Sequence, residues 1–156
     1  MVSPDILGLG VQKGFTLIEL LVVMAILGVV AATSTPWLIT YWRSATLRAA
    51  AEELAAGLNR GRQLAISQNQ SVCIEVVGGQ YRYRLNGCGG TISTGPGTDA
   101  NGFYRLANNV TLGTPANNPV FTYLGAATGA TLTVTKSQGG ATRNVVVSVS
   151  GRVQIQ

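Results

Sequence analysis

Between Leu20 and Trp42 the chain carries no charged side chain. As an α-helix these 23 residues would reach about 34 Å, enough to cross the hydrocarbon core of a bilayer. A membrane-spanning helix is therefore expected over about residues 15–42. A cleaved secretory signal competes for the same feature, but its apolar core is only about 7–15 residues and ends at a small-residue cleavage site. The run here outlasts that. Lys13 before it, and Arg43 and Arg48 after it, give no clear excess of positive charge on one side, so charge does not set the orientation.

Glu19 stands at the head of this apolar run. A carboxylate there costs several kcal/mol if buried without a partner, so the position asks for a cation. The plainer alternative is a glutamate at the membrane interface, favoured by the dipole of the helix amino terminus. Pro36 lies inside the run and cannot donate the helical hydrogen bond; it is expected to bend or loosen the helix rather than end it. Farther on, Leu47, Ala51, Leu54, Leu58, Gly61 and Ala65 recur at spacings of four and three. Arg48, Glu52, Glu53, Arg60 and Gln63 fall elsewhere around the helix. The spacing predicts one long helix from about Phe15 to about Ser67, whose small-residue stripe seats a β-sheet.

After this helix the period shortens to two. Val72, Ile74 and Val76 alternate with Cys73, Glu75 and Val77, and Tyr81, Tyr83 and Leu85 alternate with Arg82 and Arg84. Gly78-Gly79 between the two runs predicts an antiparallel hairpin over residues 71–85. The segment from Gly89 to Gly102, rich in Gly, Ser and Thr and holding Pro96, reads as an exposed loop. Short strands are expected around Tyr104–Leu106, Val110–Leu112 and Val120–Leu124. A pair of longer ones follows, with Leu132 and Val134 in one and Val145, Val147 and Val149 in the other, joined by a turn at Gln138-Gly139-Gly140. A last turn at Ser150-Gly151 leads to Val153 and Ile155. The fold class is α+β: a long amino-terminal helix packed on a small antiparallel β-sheet domain.

At 156 residues the chain has room for one domain and an anchor. Cys73 and Cys88, its two cysteines, read as one disulfide in an oxidising compartment, against the alternative of two free thiols. An enzyme is disfavoured. There is no histidine, the acids beyond the helix are Glu75 and Asp99, far apart in sequence, and no metal-ligand spacing or phosphate-binding glycine loop occurs. No cofactor is expected.

Lys13-Gly14-Phe15-Thr16-Leu17-Ile18-Glu19, followed by Leu20-Leu21-Val22-Val23, resembles the processing site of type IV pilins and type II secretion pseudopilins. The length, the early hairpin and the terminal Ser-Gly-Arg turn are similar to the GspH/FimT group of minor pilins. The resemblance implies a leader at residues 1–14, a stalk helix at 15–67 and a β-rich periplasmic domain at 68–156. It implies cutting between Gly14 and Phe15 by prepilin peptidase, methylation of the new Phe15 amine, and pairing of Glu19 with the terminal amine of a neighbouring subunit. Pro36 matches a proline that many pilins carry in the stalk.

The implied function is that of a minor pilin or pseudopilin that helps start or cap a type IV pilus or type II secretion pseudopilus. It would be held first in the inner membrane by a single span and then moved into a filament. Its partners would be other pilins, the peptidase, the inner-membrane assembly platform and the lipid bilayer. The rival function is DNA binding in DNA uptake. From residue 68 onward, Arg82, Arg84, Arg105, Lys136, Arg143 and Arg152 exceed Glu75 and Asp99 by four charges, enough to attract phosphate. Some proteins similar to FimT bind DNA through a terminal Gly-Arg-any-Arg run. Here the run is Gly151-Arg152-Val153-Gln154, with an amide in place of the second arginine. Lys136, Arg143 and Arg152 are the candidate DNA contacts.

Overall fold

The computed structural model describes residues 14–107, 109–136 and 140–156. The expected leader, apart from Gly14, and the expected turn at Gln138-Gly139 lie outside the described residues. The chain divides into two compact units, with the boundary between Thr40 and Tyr41.

Helix α1 runs from Leu17 to Ser67 and continues through Pro36. Within the first unit its large apolar side chains are exposed throughout. Thr33 and Ser34 direct their hydroxyls back to the carbonyls of Val29 and Val30, which keeps these polar groups satisfied within the helix.

In the second unit α1 ends at an asparagine. Asn69 adopts φ 50°, the Gln70 amide donates to the Ala65 carbonyl and the Asn69 amide to that of Ile66. This is the left-handed cap in which two otherwise orphaned carbonyls find donors. Strands β1 (Val72–Val77) and β2 (Gln80–Leu85) follow. They pair antiparallel with Val77 opposite Gln80, so Gly78 and Gly79 alone make the turn. Both have positive φ, 60° and 80°, as a two-residue hairpin of this hand requires.

The other strands are β3 (Thr91–Ser93), β4 (Tyr104–Arg105), β5 (Val110–Leu112), β6 (Val120–Phe121), β7 (Ala130–Lys136), β8 (Thr142–Val147) and β9 (Val153–Ile155). They form the antiparallel β-domain expected beside the helix, arranged as two sheets. One has the order β3-β2-β1-β6, with β4 also paired to β2; the other has the order β5-β7-β8-β9. Three local expectations are corrected. The segment after Gly89 is not simply a loop, because Thr91–Ser93 adds a strand to β2. The strand expected over Val120–Leu124 stops at Phe121, where Thr122–Gly125 turns with Gly125 at φ 81°. Leu106 lies beyond the end of β4.

The core is the face of α1 formed by Leu47, Ala50, Ala51, Leu54, Leu58 and Ala65, set against both sheets. The first sheet contributes Val72, Ile74, Val76, Tyr81 and Tyr83, and the second Leu112, Leu132, Val134, Val145 and Val147. Close approach needs glycine at two places. A Cβ on Gly57 would stand 2.4 Å from Tyr81 Oη, and one on Gly61 2.7 Å from Ile74 Cδ1. The expected stripe of small residues thus does seat a sheet. The Tyr83 hydroxyl donates to the Gly57 carbonyl at 2.8 Å, and burial raises the pKa of both Tyr81 and Tyr83.

Candidate functional site

Gly14, Phe15 and Thr16 precede the first helical residue and are exposed. The Glu19 amide donates to the Thr16 hydroxyl at 3.3 Å, and the Leu20 amide to the Thr16 carbonyl at 3.1 Å. Thr16 is therefore the residue that starts the helix, with Glu19 in its first turn. The threonine–any–any–glutamate spacing is the signature of such a start, and it was available in the sequence. It explains why the helix begins three residues after Gly14, at Leu17, and leaves that glycine in non-helical backbone.

The Glu19 carboxylate is exposed and has no hydrogen bond or ion pair among the described residues. Around it Leu17, Ile18, Leu20 and Leu21 are exposed as well. A bare anion amid apolar side chains is unstable in lipid without a cation, and the positive end of the helix dipole offsets only about 1 kcal/mol of that cost. Leu17–Ser34 is long and apolar enough to cross a membrane.

In the second unit Cys73 and Cys88 are joined by a disulfide. The same face of the β1–β2 hairpin holds an ion cluster. Arg82 and Arg84 both donate to Glu75 Oε2, Arg84 at 2.7 Å, and Arg84 also donates to the Gly90 carbonyl at 2.9 Å. The Arg82 guanidinium lies 4.4 Å from the centre of the Phe103 ring. Burial by itself pushes the Glu75 carboxyl up, but the two arginines more than offset it and hold the group below its usual value. Arg82 and Arg84, expected among the surface cations, are thus committed to holding the 86–103 segment on the hairpin.

The three candidate DNA contacts do not come together. Lys136 and Arg143 lie at one end of the second sheet, where Val134 pairs with Arg143 and the Lys136 amide donates to the Ala141 carbonyl. Lys136 Nζ donates to Thr46 Oγ1 of α1 at 2.8 Å. Arg152 sits in the turn at the other end of β8, where its carbonyl accepts from the Ser148 amide at 2.9 Å. Five residues of extended strand separate Arg143 from Ser148, a span of about 17 Å. Beside the Arg152 turn, Arg62 Nε is buried under the Gly125 and Gly151 turns and has no hydrogen-bond partner among the described residues.

Two family profiles match the chain. One, described as the prokaryotic N-terminal methylation motif, covers residues 10–35; the other, described as type II transport protein GspH, covers residues 50–151. Fimbrial protein Q of Moraxella bovis is 35% identical over 103 residues, which is 56% of this chain and 66% of that protein. The type IV major alpha-pilin of the same organism is 38% identical over 74 residues, 43% of this chain and 46% of that one. The matches therefore span just under two thirds and just under half of those relatives. Among solved structures, the type IV minor pilin FimU of Pseudomonas aeruginosa superposes with a TM-score of 0.51 at 24% identity, over 70% of this chain and 92% of that one. The minor pseudopilin EpsH from the type 2 secretion system of Vibrio cholerae gives a TM-score of 0.53 at 14% identity, over 70% and 95%. At these identities the structural likeness is one of fold.

Proposed function

This chain belongs to the GspH family of minor pilins and pseudopilins, and from that premise we propose that it is a filament subunit recruited through its amino-terminal helix. Prepilin peptidase cuts between Gly14 and Phe15, the Phe15 amine is methylated, and the helix holds the subunit in the inner membrane with the β-rich unit in the periplasm. The assembly platform then transfers it into a type IV pilus or type II secretion pseudopilus, where it starts or caps the filament. The role is structural and not catalytic.

The observation that carries this reading is Glu19. It is the one acid in a long exposed apolar segment, and it lacks a partner among the described residues. In a packed bundle of such helices the terminal amine of a neighbour supplies the missing cation. That pairing fixes axial register, because a carboxylate in apolar surroundings tolerates little displacement from its counter-charge.

In cells lacking the native copy, Glu19→Ala is expected to be cut at Gly14 as usual but to fail in restoring filament number or secretion. Gly14→Val should remain uncut. Normal filaments with Glu19→Ala would remove the pairing role. Against the DNA-binding alternative, Lys136 and Arg143 lie at one end of the second sheet and Arg152 at the other.

A further inference from the structure

The second unit begins at Tyr41, and the end at which the chain enters it is cationic. Arg43, Arg48 and Arg143 are exposed there, and the Lys136 ammonium group is bonded to Thr46. Arg48 and Arg143 line a shallow cavity of about 230 Å³ with Tyr41, Ser44 and Ala45. The acid on the facing helix surface is Glu52, already paired with Arg48 at 2.9 Å in an exposed contact of small energetic weight. Arg143 has no carboxylate partner among the described residues. Tyr41 and Trp42, which open this unit, are both exposed. Aromatic side chains of this kind favour the level of lipid headgroups.

We propose that this rim binds the phosphate headgroups of anionic phospholipids in the leaflet from which the apolar helix emerges. The inference rests on the membrane-anchored reading given above. Two features favour lipid over other phosphates. Arg43 directly follows the uncharged run, and Arg48 is five residues farther, a rise of about 8 Å, so both stay within about one Debye length of a headgroup layer at Trp42. The guanidinium groups of Arg48 and Arg143 flank one concavity, a donor pair suited to a singly charged phosphodiester, while the Ser44 hydroxyl beside them donates to the Tyr41 carbonyl at 2.8 Å. Duplex DNA would meet the rim only by displacing the headgroups.

The test uses the full chain, isotopically labelled, in zwitterionic micelles, with backbone amide shifts read during titration. Short-chain phosphatidylglycerol should give saturable shifts at residues 43–48 and 142–144, and short-chain phosphatidylcholine should give none. Arg43→Gln and Arg143→Gln should each weaken the apparent affinity about fivefold, whereas Arg152→Gln, at the far end of β8, should leave it unchanged. Unaltered Tyr81 and Tyr83 resonances in the variants would show that the fold is retained. Equal shifts with phosphatidylcholine would overturn the proposal. So would inorganic phosphate acting at the same concentration, which would mark a simple anion site, or a DNA duplex displacing the lipid from these residues. Retention of the full chain in carbonate-washed vesicles tests the membrane reading separately, so that the two ideas fail by different results.

Discussion

Replacing Gly61 with alanine sets two effects of opposite sign against each other. In a helix interior alanine is favoured over glycine by about 1 kcal/mol. Against this, the new Cβ would stand 2.7 Å from Ile74 Cδ1 and 3.2 Å from both Ile74 Cγ1 and Tyr83 Cε1. Neither neighbour retreats easily. Ile74 is fully buried, and Tyr83 is held by its bond to the Gly57 carbonyl and by the rings of Tyr81 and Tyr104. Overpacking of this kind costs about 1–3 kcal/mol, so with about 2 kcal/mol for the clash Gly61→Ala should destabilise by about 1 kcal/mol net. Ile74→Val removes Cδ1, the nearest atom, and should cost about 1 kcal/mol alone. In the double variant the alanine methyl fills the vacated space, so the cavity and the closest contact disappear, and the helix gain offsets the remaining tight approach to Tyr83 Cε1. That variant should lie close to the parent, about 2 kcal/mol better than the sum of the single changes. Urea unfolding of the full chain in nonionic detergent, followed by near-ultraviolet circular dichroism of the tyrosine cluster, reports the second unit selectively. Additive single effects, or stabilisation by Gly61→Ala alone, would refute the claim that Gly61 sets the distance between helix and sheet.

Further outcomes follow from the rest of the second unit. Removing the Cys73–Cys88 link, which closes a separation of 15 residues, should lower stability by about 3 kcal/mol, read as a lower urea midpoint with reductant than without. The Glu75 carboxyl is held below its ordinary 4.5, so the unfolded chain binds its proton more readily than the folded one. The stabilisation from this group should therefore be complete above pH 4.5 and be lost as pH falls through the lowered folded value; Glu75→Gln should flatten that part of the curve. A slope that persists in the variant would assign the loss to another group. Asn69→Ala should cost about 1 kcal/mol, because alanine resists the left-handed backbone at φ 50°, while Asn69→Gly should be close to neutral.

What was legible in the chain was local and periodic. The spacing of Leu47, Ala51, Leu54, Leu58 and Ala65 gave the buried face of α1, since each is held by repetition along one helix. The Gly78-Gly79 turn was equally plain, because few other residue pairs accept two positive φ angles in succession. Strand β3 was hidden for the opposite reason. Its local composition is that of a loop, and distant partners hold that region: the disulfide at Cys88, the Arg84 bond to the Gly90 carbonyl, and Arg82 against Phe103. The assignment of β6 to the first sheet, although it lies between β5 and β7 of the second in sequence, depends on pairing with β1 across a long stretch of chain, which no local pattern announces. The separation of Arg143 from Arg152 likewise follows from strand register, which a count of charges does not contain. Thr16 is legible locally, because its spacing to Glu19 is that of a helix start.

Seventeen large apolar side chains are exposed between Phe15 and Trp42. Leaving each in water instead of an apolar medium forgoes about 1.5 kcal/mol or more, a total above about 25 kcal/mol, so the helix must reside in lipid or among other apolar helices. Between those two environments, however, the hydrophobic term nearly cancels, because acyl chains are as apolar as leucine. The same side chains that force the helix out of water therefore cannot choose its destination. That choice falls to smaller effects: close packing between helices, headgroup contacts broken on leaving the bilayer, and the single carboxylate at Glu19. A few kcal/mol suffices to decide a balance this even, and under the pairing proposed above Glu19 is the group whose energy differs most between lipid, where it lacks a counter-charge, and a bundle that offers it an amine.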